Sequence, residues 1–199
     1  MYRILFAVLI YSFQLNAYAE NKVAVFAGGC FWCMEKPFDV LDGVKSTISG
    51  YTGGHTDNPT YKTTSTGTTG HYEAIKIEYD STKVSYETLL DVFWKNIDPF
   101  DAKGQFCDKG PQYRSGIFTS DESEIALAQQ SKTALQEKLG DRATIVTEIL
   151  PAAQFYDAED YHQNYYKKNP LRYRYYRYGC GRDKRLEEVE ALVSGKRLP

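Results

Sequence analysis

The chain has 199 residues, 42% hydrophobic and 25% charged, with a formal net charge of -2. That length and apolar share suit one globular domain with a real core. The near-neutral balance gives no global pull toward nucleic acid or an anionic membrane.

Residues 1–19 read as a targeting segment. Arg3 supplies a positive start, Ile4 to Phe13 an apolar run, and Ala17-Tyr18-Ala19 a small-x-small cleavage pattern before Glu20. The run is short for a transmembrane helix; an uncleaved interfacial anchor is the other reading. The expectation is an exported chain, periplasmic or secreted, without stable membrane insertion. Its one catalytic domain spans 20–199, with a C-terminal tail from about 170.

Val23-Ala24-Val25-Phe26-Ala27 reads as a strand, and Gly28-Gly29 as a sharp turn into Cys30-Phe31-Trp32-Cys33. A helix starting there would place Cys30 at its N-terminus, where free N–H groups and the helix dipole favour a thiolate nucleophile. Pro37 conflicts with that start, so the helix is expected to begin later or to kink. Val44 to Gly54 is a strand ending in a glycine turn, and 55–70 a long polar loop. His71 to Asp80 is a strand on which Glu73, Ile75, Ile77 and Tyr79 share one face. A carboxyl on an apolar face is desolvated, holds its proton to higher pH and is a candidate proton donor; bending to water at the strand end is the alternative.

Ser85 caps a predicted helix over Tyr86 to Asn96, which Asp98-Pro99 stops. A loop from Phe100 to Gln112 leads to a strand at Tyr113 to Thr119. Further elements are a helix from Asp121 to Leu139, a strand from Thr144 to Leu150 and a last helix from Asp157 to Lys168. The order β-α-β-β-α-β-α-β-α predicts an α+β fold: a ferredoxin-like two-layer sandwich with a split βαβ core.

Cys30, Cys33, Cys107 and Cys180 all follow the targeting segment. One close Cys-x-x-Cys pair speaks for redox chemistry more than for a disulfide framework or a zinc site, so no metal is expected. Six stretches resemble the A-type peptide methionine sulfoxide reductases: Gly29-Cys30-Phe31-Trp32, Gly50-Tyr51-Thr52-Gly53-Gly54, Asn58-Pro59-Thr60-Tyr61, Gly70-His71-Tyr72-Glu73-Ala74, Gln112-Tyr113-Arg114-Ser115 and Glu159-Asp160-Tyr161-His162-Gln163.

The resemblance implies that Cys30 attacks a methionine sulfoxide of the S epimer and becomes a sulfenic acid. Phe31 and Trp32 would seat the S-methyl group, Glu73 would protonate the oxygen, and Tyr61, Tyr113 and Asp108 would bind or organise it. A second thiol would then form an intramolecular disulfide. An outside thioredoxin-like dithiol would reset the enzyme, with oxidised proteins or peptides as substrate and no bound cofactor. Cys180, on a glycine-flanked tail, is the expected resolving thiol, Cys33 the alternative, and Cys107 lies beside the site loop. His162 is expected to be a structural hydrogen-bond partner.

Two other classes compete. An exported Cys-x-x-Cys disulfide oxidoreductase would use Cys30 and Cys33 but leaves the downstream Tyr, Glu and Asp motifs unexplained. A single-stranded nucleic-acid binder would use Lys167, Lys168, Arg172, Arg174 and Arg177 among tyrosines, and export argues against it. Nothing demands more than a monomer.

Overall fold

A computed structural model describes residues 20–196; the targeting segment expected at 1–19 lies outside the described residues. The eight strands are β1 (Asn21–Gly28), β2 (Val44–Thr52), β3 (Tyr72–Asp80), β4 (Gly104–Gln105), β5 (Asp108–Lys109), β6 (Ser115–Phe118), β7 (Glu148–Leu150) and β8 (Tyr156–Asp157). The helices are α1 (Phe31–Asp39), α2 (Tyr61–Thr64), α3 (Tyr86–Trp94), α4 (Glu122–Leu139), α5 (Tyr165–Lys168), α6 (Pro170–Gly179) and α7 (Arg182–Ser194). Six strands form one sheet in the order β7-β6-β1-β3-β2-β8. Within it β3 lies antiparallel between β1 and β2, and β6 pairs antiparallel with the other edge of β1. That is the split βαβ arrangement the element order predicts, extended by the parallel strand β7 and the short β8. No helix among the described residues is long and apolar enough to cross a membrane.

The alternation read in β3 decides what each face meets. Ile75, Ile77 and Tyr79 enter the main core, where Phe26 packs on Phe38 and Phe93 at ring distances of 5.8 and 5.0 Å. Glu73, at the start of the same strand, is 2% exposed, so it does not bend to water. On the opposite face Tyr72 and Ala74 are also buried, against Ala27 and Phe118.

Three elements differ from expectation. The helix after Cys30 starts at once, with Cys30 as its N-cap, and Pro37 lies inside it two residues before its end. The predicted helix over Asp157 to Lys168 is instead β8, a run of turns and the short α5. Side chains of Glu159 and Gln163 bond to backbone elsewhere, and Asn164 takes a left-handed φ of 53°, which no helix continues through. Finally, the tail from 170 is two helices. Fully buried Arg182 anchors α7 by donating to the carbonyls of Gly28 at 3.1 Å and Asn96 at 2.6 Å.

Gly29 makes the turn that presents Cys30. Its φ is +80°, and a Cβ there would lie 2.5 Å from the Cβ of Gln105. Gly29→Ala combines left-handed strain of about 1–2 kcal/mol with that clash. Expected is a loss of about 2–4 kcal/mol, read as a lower urea midpoint with an unchanged m-value.

Candidate active site

Cys30 sits where β1 ends and α1 begins, and it is 7% exposed. Burial pushes its thiol well above the ordinary range, with Cys33, Glu73 and Asp108 adding in the same direction. The expected resting thiolate is therefore corrected to a resting thiol. The physical reason is visible at the helix start. The Phe31 N–H, which could have served a thiolate, donates instead to Glu73 Oε2 at 3.2 Å. Burial lifts the Glu73 carboxyl to about 8, with Phe31 N–H pulling the other way. Near neutral pH the site thus holds a carboxylic acid beside a thiol. Cys33, also buried, is one turn on, its N–H bonded to the Cys30 carbonyl at 3.0 Å. Its thiol is lowered by the Cys30 contact and then by the charges of Arg182 and Arg177.

The apolar wall is aromatic. Phe31 is buried, its ring 4.9 Å from His162. Trp32 is half-buried, stacked flat on Tyr165 at 3.7 Å and met edge-on by Tyr176 at 5.8 Å. Trp32 Nε1 donates to His162 Nδ1 at 2.9 Å. That bond leaves the histidine proton on Nε2, and burial holds the ring neutral, with its pKa pushed down to about 4. His162 is a buried positioning partner, in line with the role expected of it.

Tyr61 and Tyr113 lie together near Glu73, and burial raises both phenols. Tyr61 is positioned through its backbone N–H, which donates to Glu159 Oε1 at 2.9 Å. Asp108 accepts from Tyr176 Oη at 2.5 Å. The sequence-predicted residues Cys30, Phe31, Trp32, Cys33, Tyr61, Glu73, Asp108 and Tyr113 thus come from α1, α2, β3, β5 and the turn before β6 to one locus. Cys180 reaches the neighbouring loop by a disulfide to Cys107, while Cys30 and Cys33 are free thiols. Cys107, Asp108 and Cys180 place three potential metal-ligand atoms within 4.8 Å of one another, but the disulfide engages both sulfurs.

The peptide methionine sulfoxide reductase family model matches residues 22–192. The chain belongs to that family. It is 52% identical over 163 residues to the MsrA peptide methionine sulfoxide reductase of Bacillus subtilis, covering 82% of this chain and 92% of that protein. It is 48% identical over 170 residues to MsrA 2 of Caulobacter vibrioides, covering 85% and 86%. Among solved structures, methionine sulfoxide reductase A of Corynebacterium diphtheriae matches with a TM-score of 0.72 and 36% identity over 79% of each chain. Mxr1 of Saccharomyces cerevisiae in reduced form matches with 0.71 and 35% over 76% of this chain and 87% of that one. The protein is a methionine sulfoxide reductase of the A type, an oxidoreductase that uses thiol chemistry.

Two residues of this reductase escaped the sequence reading. Glu35, fully buried, accepts from Ser49 Oγ at 3.1 Å and from the N–H groups of Asn164 at 3.0 Å and Tyr165 at 3.2 Å. It thereby fixes the turn that presents Tyr165 to Trp32. Its spacing with Phe31 and Phe38 put it on the apolar stripe of α1, a signal that was available. Arg182 gave no such signal: a lone arginine after Gly-Cys-Gly reads as solvated.

Glu73 carries a prediction of opposite signs. Its folded pKa of about 8 lies above the unfolded value of 4.5. Between those values the folded state holds a proton that the unfolded state has lost, so stability falls as pH rises through that window. Glu73→Gln should stabilise the protein by about 3 kcal/mol at pH 7, the gain vanishing below about pH 4. The same variant should slow the first turnover about 10²–10⁴-fold. Chemical denaturation across pH and single-turnover kinetics measure the two.

Proposed function

We propose that this reductase acts on the S epimer of methionine sulfoxide, in oxidised proteins or peptides and also as the free amino acid, with Cys30 as nucleophile. What carries this reading is the placement of Glu73: its carboxyl is seated on the Phe31 N–H beside Cys30, with the Phe31–Trp32 wall adjoining. The S-methyl group packs on that wall while the sulfoxide oxygen faces Glu73, Tyr61 and Tyr113. Exchanging methyl and oxygen would press the oxygen on aromatic carbon and the methyl on polar groups, which disfavours the R epimer. Glu73 protonates the oxygen as Cys30 Sγ attacks sulfur. Methionine leaves and Cys30 keeps the oxygen as a sulfenic acid.

A second thiol then attacks the Cys30 sulfur and expels water. Cys180 serves once the Cys107–Cys180 bond has been reduced. Cys33, one helical turn from Cys30, is the second candidate because its sulfur already meets Cys30. An external thioredoxin-like dithiol closes the cycle, with no bound cofactor taking part. The yeast relative Mxr1 has been solved in complex with Trx2 (TM-score 0.53, 25% identity), which supports a partner of that class. The targeting pattern at 1–19 supports export, with the reductase at work in the periplasm or outside the cell as a monomer.

Mass spectrometry of disulfides after one turnover of fully reduced enzyme, without added reductant, tests the assignment. Expected are a Cys30–Cys180 link, a Cys30–Cys33 link in the Cys180→Ser variant, no methionine from the R epimer and none from Cys30→Ser. Methionine formation by Cys30→Ser, or equal rates with both epimers, would overturn it.

A further inference from the structure

Cys180 is locked. Its sulfur is bonded to Cys107 Sγ, so it cannot attack Cys30 until that bond is broken. The two ends of the bond differ in ways that decide how it opens. Cys107 sits at the tip of the β4–β5 hairpin, in the two-residue turn between the paired residues Gln105 and Asp108. It is exposed, whereas Cys180, at the end of α6, is half-buried. Cys30 and Cys33 are only 7% and 1% exposed. A thiol carried by another protein therefore meets Cys107 first.

Thiol–disulfide exchange depends on the leaving sulfur as well as on access. The sulfur that keeps the electron pair must be stabilised as a thiolate. The Cys107 N–H donates to Cys180 Sγ at 3.2 Å, and it strengthens as negative charge grows there. Among the described residues no N–H or O–H group donates to Cys107 Sγ. The Asp108 carboxylate does not discriminate, because Oδ1 lies 3.8 Å from Cys107 Sγ and Oδ2 lies 3.9 Å from Cys180 Sγ. Nor does the cleft of about 470 Å³ beside Cys180, since its cations Lys109 and Arg185 are paired with Asp101 and Asp98. Exposure and the backbone donor agree on one direction of attack.

We propose that Cys107 is the sulfur at which an external dithiol enters, with Cys180 as the leaving group, so that reduction unlocks the resolving thiol. This rests on the reading of Cys180 as resolving thiol and of a thioredoxin-like dithiol as reductant. The partner's thiolate attacks Cys107 Sγ, and a mixed disulfide forms there. The Cys107–Cys180 bond breaks, and its electron pair leaves on Cys180 Sγ as a thiolate held by the Cys107 N–H. The partner's second thiol gives up its proton and attacks its own sulfur in the mixed disulfide. Cys107 leaves as a thiolate and takes up a proton. The dithiol ends oxidised to a disulfide, and Cys107 and Cys180 end as two reduced sulfurs.

The probe is a thioredoxin whose second active-site cysteine is replaced by serine, so that it cannot resolve the adduct. It is mixed with the full chain carrying the Cys107–Cys180 bond. Early samples are quenched with acid, free thiols are alkylated, and mass spectrometry locates the adduct. Expected is adduct on Cys107 with Cys180 alkylated, about tenfold in excess of adduct on Cys180. A second measurement follows methionine release with intact thioredoxin. The oxidised wild type should show a lag that shortens as thioredoxin is raised, and Cys107→Ser, which has no lock, should show none. Adduct mainly on Cys180, on both sulfurs alike or on neither would overturn the proposal. So would a lag that persists in Cys107→Ser. Adduct on Cys107 with no lag in the wild type would uphold the point of entry and overturn instead the resolving role of Cys180.

Discussion

The geometry of the site depends on one shared donor. The first free N–H of α1 belongs to Phe31, and the buried Glu73 carboxyl takes it. A helix N-terminus would ordinarily favour an anion at Cys30. Here it orients an acid that burial keeps protonated, and the thiol next to it receives no such help. The helix start thus serves the acid and leaves the thiol to its buried surroundings. The arrangement separates two groups whose pKa values would otherwise compete, the general pattern by which a buried site runs acid and base steps near neutral pH.

A second constraint makes the wall rigid. Trp32 is held by a hydrogen bond to His162 and by the Tyr165 ring stacked on it. His162 lies on the turns between β8 and α5, which have little regular structure of their own, and Tyr165 is the first residue of α5. Three acceptors anchor that segment. Glu159 takes the Tyr61 N–H and, at 2.9 Å, the Tyr51 hydroxyl. Gln163 accepts from the Ser49 N–H and donates to its carbonyl, each at 2.9 Å, replacing a missing strand neighbour. Glu35 takes the two N–H groups that follow His162 and Gln163. Buried or half-buried and bonded, these acids and this amide position aromatic rings, which is how a wall built on irregular backbone stays in register.

How much of this was legible in the sequence follows from range. The β3 alternation placed Glu73 on the buried face because period-two patterning is local and its partner strands obey it. The glycine turn before Cys30 was equally local. The last predicted helix failed because Glu159 and Gln163 act across about 100 residues, on Tyr61 and Ser49, and such bonds override helical spacing. The expected thiolate failed for a similar reason: the competitor for the Phe31 N–H lies 42 residues away. Pro37 fits inside α1 because the helix ends only two residues later, so little helix is left for it to disrupt.

The C-terminal region shows why composition misleads there. Read alone, its tyrosines and arginines suggest a solvated basic strip. Folded, the strip divides by face. Arg172, Arg174 and Tyr175 stay in water, while Tyr173 and Arg182 are buried and Tyr176 is half-buried against the site. Arg182 crosses under the β1 turn to the Gly28 carbonyl and lays its guanidinium on Phe106 at 4.3 Å. Phe106 itself holds a φ of 57°, strained for a bulky side chain, at the tip that carries Cys107. The same arginine therefore supports both the turn before Cys30 and the hairpin bearing one half of the disulfide. A helix anchored in this way cannot act as a loose arm. For Cys180 to reach Cys30, the Cys107–Cys180 bond must open and α6 must shift, and Tyr176 on the same helix must move with it.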